Sequence, residues 1–232
     1  MKSRILVTLF IFCGFAQSEY VEDLYVGRVN LPNQSSLSQL QGVRDASTQV
    51  LIKLTGDSEV INLPIVSEIL LRPDDYVGTV GYKAVEEINR ASTVAAVGLE
   101  VNFSKVALDE FIRTNKLPVL PANRPLLLLW IIRDNRASGR HFVSDDTAPS
   151  IIGIVSHKLE ERGIPFVFPL YDLQDRMALS EDNAWELNAK MLVDASQRYD
   201  SDVIVLLRFY ETSSGQVRGS WLYQHAGRRH LG

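Results

Sequence analysis

Seven consecutive apolar residues, Leu126 to Ile132 (LLLLWII), constrain this chain more than any other stretch. The run shows no alternation, so it predicts a strand covered on both faces, at the centre of a layered sheet. It is far below the roughly 20 residues that cross a bilayer as a helix. Covering both faces requires helices, and the flanking sequence supplies them. Ile151, Ile152, Val155 and Leu159 repeat along one side of a helix that Gly163 stops in the left-handed conformation. Trp185, Leu187, Met191, Leu192 and Ala195 make the buried side of one helix, or of two abutting ones, down to about Tyr199. Ile164 to Phe168, closed by Pro169, and Val203 to Phe209 read as further strands. Ser213-Ser214-Gly215 turns the chain into a last strand, Val217 to Tyr223. Residues 126–224 therefore predict β-α-β-α-β-β, an α/β domain with a mixed sheet of about four strands and flanking helices. Right-handed crossovers make its early strands parallel, and the final hairpin adds an antiparallel edge.

Pro118, Pro121 and Pro125 fall within eight residues and set the expected division near residue 120, with 119–125 as a linker. Before it, residues 19–118 read as an α+β half of order β-α-α-β-β-α. Tyr20 to Leu31 alternates loosely as a half-buried strand. Leu37, Leu40, Val43, Val50, Leu51 and Leu54 predict an amphipathic helix over Ser36 to Leu54, ended by Gly56, with Arg44 and Asp45 on its solvated side. Pro64 suits the first turn of a short helix through Leu71, and Pro73-Asp74-Asp75 a turn after it. Tyr76 to Val85 and Thr93 to Phe103 predict two strands around a hairpin end at Asn89, Arg90 and Ser92. Ser104 then caps a helix through about Asn115, with Phe103 and Leu108 placed as a hydrophobic staple.

The first residues predict a compartment. Lys2 and Arg4 precede an apolar run from Ile5 to Phe15 and the small-x-small sequence Ala16-Gln17-Ser18, the pattern of a secretory leader over residues 1–18 cut after Ser18. A periplasmic or secreted location is the expectation. Such a cut removes Cys13, the single cysteine, and leaves a chain that depends on its core rather than on disulfides. Losing Lys2 and Arg4 takes the basic count from 24 to 22 against 28 acidic residues, a formal charge of −6. That balance argues against a general nucleic-acid partner, which would need clustered Lys and Arg. Residues 225–232 read as a basic tail holding His225, Arg228, Arg229 and His230.

Catalytic signatures are sparse. His141, His157, His225 and His230 stand apart, in no metal-ligand spacing, and Ser156-His157 are helix neighbours whose side chains diverge by about 100 degrees. No cofactor is expected. The constellation that remains is Asp172 with Asp175 in the loop after the Ile164–Phe168 strand, joined by Arg162, Arg176, Arg198 and Tyr199. Two carboxylates can divide acid and base roles when their surroundings separate their pKa values. The same acids can instead cap a turn or pair with Arg176 or Arg198. Asp172 and Asp175 are thus weak catalytic candidates, and Arg162, Asp172, Asp175, Arg198 and Tyr199 are binding candidates. Trp130, Trp185 and Trp221 each sit on an apolar strand or helix pattern and are expected in the core.

The order Arg124-Pro125, Trp130, Arg162-Gly163-x-Pro165, Pro169-Leu170-x-Asp172-Leu173-x-Asp175, Trp185, Ala195-Ser196-x-Arg198-Tyr199 and Trp221 resembles the secreted proteobacterial proteins grouped as domain of unknown function 2066 (DUF2066). Tyr25-Val26, Arg44-Asp45-Ala46 and Leu54-Thr55-Gly56 fit the same pattern. The resemblance implies a Gram-negative exported protein and carries no activity with it. The expected function is a non-catalytic binding or assembly factor for a periplasmic protein or an envelope polymer. The alternative is a periplasmic hydrolase of a glycan or phosphoester using Asp172 and Asp175.

Overall fold

The structure, a computed structural model, describes residues 18–21, 23–83 and 97–232. The leader residues through Gln17, Cys13 among them, and the hairpin end at Asn89, Arg90 and Ser92 lie outside the described residues. The chain is mixed α/β, as its patterning predicts. It runs β1 (Ser18–Tyr20), β2 (Val26–Leu31), α1 (Ser36–Thr55), α2 (Val66–Leu71), β3 (Val77–Lys83), β4 (Val97–Phe103), α3 (Lys105–Thr114) and β5 (Asn123–Pro125). It continues with β6 (Leu127–Asn135), β7 (Gly139–Phe142), α4 (Pro149–Glu161), β8 (Phe166–Val167), α5 (Leu173–Ala178), α6 (Glu181–Trp185), α7 (Ala189–Ser196), β9 (Val203–Glu211), β10 (Val217–His225) and β11 (Arg228–Leu231).

In the first half, β4 lies between β2 and β3 in an antiparallel sheet, and α1 packs across it. Ser35 caps α1 by accepting the Ser38 N–H at 3.3 Å, and Gly56, at φ +73°, closes it by donating to the Ile52 carbonyl at 2.8 Å. Helix and sheet meet where side chains are smallest: an ideal Cβ on Gly27 would stand 2.6 Å from the Ala46 Cβ. Leu37, read as part of the buried face, is 79% exposed, because the burial of α1 begins only at Gly42, against Leu31 and Leu99. The short helix begins at Val66 rather than Pro64, after a 3₁₀ turn at Ser58–Asn62. Ser104 caps α3 as expected, with Leu108 buried.

The second half centres on β6. β9 lies parallel along it from Leu127↔Val203 to Asp134↔Tyr210. On its other side, β8 pairs in parallel with Leu127 and Leu128 only, and β7 pairs antiparallel with Ile132 to Asn135. β10 and β11 extend the sheet beyond β9. Side chains alternate as a strand requires. Leu128, Trp130 and Ile132 pack with Leu179, Ala184, Leu192 and Ala195 of the α5–α7 layer, and Leu129 and Ile131 pack with Ile152 of α4. The sheet has six strands rather than about four. β7 (GRHF) and β11 (RRHL) lack apolar runs, since edge strands tolerate charge, and so read as polar loop and basic tail. Ala226 and Gly227, at φ +46° and +75°, make the two-residue turn that folds residues 228–231 back on β10.

Arg124 ties the two halves together. It is 3% exposed, and its guanidinium donates to the carbonyls of Arg162 and Gly163 at the end of α4, each at 2.7 Å, and to that of Lys53 near the end of α1. Its Nε donates to Pro121 at 3.0 Å. Both helices thus direct their electronegative ends at one cation.

Candidate functional site

The acid loop follows the carboxyl end of its own strand, and open α/β sheets bind ligands past the carboxyl ends of their strands. β8 is two residues long and opposes only Leu127 and Leu128, so the loop after it emerges well short of the edge that β6 reaches at Asn135. There Asp172 is the N-cap of α5, accepting the Asp175 N–H at 3.0 Å. Arg198 Nη1 donates to both Asp172 oxygens, at 2.8 and 3.0 Å, and lies 3.2 Å from Asp175 Oδ1. Asp175 is 1% exposed, and its Oδ2 accepts from the Tyr171 N–H at 2.8 Å and from the Tyr199 hydroxyl. The Tyr199 hydroxyl in turn accepts from the Leu170 N–H at 2.9 Å. Arg176 Nε donates to the Tyr171 carbonyl at 2.9 Å.

Electrostatics follow from these contacts. The hydrogen bonds from Arg198 hold the Asp172 carboxyl below the usual carboxylate range. Burial, then the bond to Asp175, pushes the Tyr199 hydroxyl up to about 12. Burial also raises Tyr171, whose ring stacks on Phe142 at 5.0 Å and meets Trp130 edge-on at 5.6 Å. The tight bonds hold Tyr171 at φ +52°, a backbone conformation that non-glycine residues seldom adopt. The Tyr171 hydroxyl accepts from the Ile131 N–H at 3.2 Å, so the loop is clamped between the middle of β6 and the turn after α7. Of the five sequence-predicted residues, Asp172, Asp175, Arg198 and Tyr199 come together. Arg162 does not: it is exposed at the end of α4, before β8, whereas the acids follow β8.

Two open grooves lie elsewhere. One, of about 890 Å³, runs between α1 and α4 and is lined by Arg28, Asp45, Gln49 and Lys53 from the first half and by His157 and Glu160 from the second. Lys53 is 7% exposed, and its ammonium donates to the Val26 and Asp23 carbonyls at 2.9 and 3.5 Å. Burial, with Arg28 nearby, lowers it to about 8. The other groove, of about 700 Å³, sits at the true carboxyl edge of β6 and β9, lined by Arg133, Asn135, Arg136, Phe209, Glu211 and Val217. Sequence reasoning missed it. The available signal was the polar Arg133-Asp134-Asn135-Arg136 segment directly after the apolar strand, which reads equally well as a loop.

Among the described residues, no three His, Cys, Asp or Glu side chains converge to hold a metal. His141 and His157 face single carboxylates, Glu181 at 3.5 Å and Glu161 at 3.1 Å. The three tryptophans differ. Trp130 is fully buried and donates to Ser196 Oγ at 3.0 Å. Trp185 is half-buried between the guanidinium groups of Arg140 and Arg208, 5.2 and 5.5 Å from its ring. Trp221, expected in the core, is 41% exposed, because among the described residues no helix packs on its face of that part of β10.

Comparison with known proteins corrects the likeness to DUF2066. Several residues that carried it serve general structural ends here: Arg124 binds helix-end carbonyls, Gly163 takes a left-handed turn at φ +61°, and Asp172 caps a helix. No curated protein and no solved structure matches the chain. The family model that does match belongs to a different family of unknown function: over residues 18–121, under half of its length, the chain is similar to the family described as Domain of unknown function (DUF8605).

Proposed function

We propose that this is an exported cell-envelope protein that works by binding, as a non-catalytic binding or assembly factor for a periplasmic protein or an envelope polymer. The observation that carries the non-catalytic reading is the closure of the Asp172–Asp175–Arg198–Tyr199 cluster. Each carboxylate is held by donors within the cluster, and none of the four residues lines either large groove. A general acid or base must face a substrate; Asp175 is buried, and Asp172, though exposed, gives both oxygens to Arg198 and lines neither groove. Export is supported by Lys2 and Arg4, the Ile5–Phe15 run and Ala16-Gln17-Ser18. The open, mixed-charge groove between α1 and α4 supports binding.

Two measurements test this. Mass spectrometry of the N-terminus after cell fractionation should find a periplasmic chain beginning at Glu19; a cytoplasmic protein retaining Met1 or Lys2 sinks the export reading. In a deletion strain scored for envelope stress, Asp172→Asn should complement fully. If that variant folds normally and fails to complement, the hydrolase reading replaces this one.

A further inference from the structure

α4 covers only part of its face of the large sheet. Leu129, Ile131, Val205, Leu207 and Phe209 pack under it, and there the cover ends. On the same face of β10, Trp221 opposes Leu207 and Tyr223 opposes Val205, with Trp221 exposed and Tyr223 half-buried. β11 continues the face: His230 opposes Tyr223, with ring centroids 6.0 Å apart, and Arg228 opposes His225. Tyr223 and His225 rings are 6.3 Å apart. In the other direction along β10 the face reaches Val217 and the carboxyl-edge groove with Arg133 and Arg136. Neither of those two guanidinium groups has a hydrogen-bond or ion-pair partner among the described residues.

The charge on this strip is one-sided. On this face the strip carries Arg228, His225 and His230, while Arg218, opposite Tyr210, and Arg229, opposite Gln224, alternate to the other face; residues 216–232 contain no Asp or Glu, in a chain whose formal charge is −4. At the other end Glu211, opposite Val217, and Asp134 line the carboxyl-edge groove beside Arg133 and Arg136, and Asp134 lies 3.8 Å from Arg140. The nine residues of β10 span roughly 27 Å at about 3.4 Å per residue, long for a small molecule and suited to a chain polymer. Aromatic faces offer flat apolar contact to sugar rings, and guanidinium forks bind carboxylates in two-point fashion.

We infer that the uncovered face of β10 and β11, from Arg136 and Val217 at one end to His225, Arg228 and His230 at the other, binds an acidic polysaccharide. Assigning that polymer to the cell envelope rests on the export proposed above. The test uses the mature chain titrated with polygalacturonate oligomers by tryptophan fluorescence and calorimetry, at 50 and 500 mM salt. Neutral dextran, oligo-dT and phosphatidylglycerol vesicles serve as competing probes. The expected result is polygalacturonate binding at least tenfold tighter at low salt and little binding of dextran. Trp221→Ala should weaken it at least tenfold with an unchanged circular dichroism spectrum, and the double variant Arg133→Ala, Arg228→Ala should flatten the salt dependence. No binding, a preference for oligo-dT or vesicles, equal binding of dextran, or unaffected variants would overturn the inference, as would a dimer that Trp221→Ala dissolves. A protein that binds polygalacturonate yet stays in the cytoplasm overturns export and leaves the binding face supported.

Discussion

Residue by residue, the acids that looked catalytic carry a structural role. Asp175→Asn replaces a buried acceptor of three hydrogen bonds with an amide that must turn one N–H toward a donor. Urea denaturation should show a loss of about 3 kcal/mol, the scale of breaking a buried charge network. Asp172 is exposed at its helix cap, and its carboxyl is lowered in the folded state. It therefore favours folding above the ordinary carboxylate pKa, about 4, and that contribution disappears as pH falls through the lowered folded value. Acid titrations of the wild type and Arg198→Ala should converge at low pH. Lys53 works in the opposite sense. At about 8 in the fold and about 10.4 when unfolded, it leaves the unfolded chain holding more protons between these values, so stability rises with pH there. Above about 10 the raised Tyr199 and Tyr171 reverse the trend, because only the unfolded chain ionises them readily. Denaturation midpoints should therefore climb from pH 8 to 9.5 and then fall, and Lys53→Met should abolish the climb.

At the level of elements, two glycines fix how helices meet their neighbours. Gly27→Ala would bring a methyl within 2.7 Å of the Ala46 carbonyl oxygen, which is backbone and cannot swing aside. Prising α1 from β2 should lower stability by about 1–3 kcal/mol in urea titrations. Gly163→Ala meets two obstacles: φ +61° and Arg124 Nη1 at 2.6 Å. Legibility also divides at this level. α1, α3 and α4 were readable because their caps and apolar spacing are local signals, as was β6 from its unbroken run. β7 and β11 were not, because an edge strand needs only a backbone partner, and nothing in GRHF or RRHL announces one. Trp221 was misplaced for a related reason: alternation along β10 shows which residues share a face but not whether a helix lies over it.

For the whole molecule, Arg124 is the joint. By drawing the ends of α1 and α4 to the Pro121–Pro125 segment, it couples the first-half core, whose buried residues fall within 24–112, to the two core clusters of the second half, within 128–222. Arg124→Met keeps most of the side-chain volume and loses every donor, leaving the Arg162, Gly163 and Lys53 carbonyls without it. Calorimetry should then show unfolding broaden toward two transitions, with the calorimetric enthalpy exceeding the van't Hoff value. A single sharp transition of unchanged midpoint would show that the groove between α1 and α4 is held by packing alone.

The sequence by itself determined the α/β class, the central strand, the helix ends at Gly56 and Gly163 and the cap at Ser104. Each of these depends on residues within a turn or two of one another. It also brought Asp172, Asp175, Arg198 and Tyr199 to notice as a set. Only the tertiary structure decided what that set faces, since β8 pairs with the first residues of β6 rather than its last. The same non-local pairing put Arg133 and Arg136 at the carboxyl edge and left Trp221 uncovered. Strand register is chosen by partners dozens of residues away, and no local pattern in this chain encodes it.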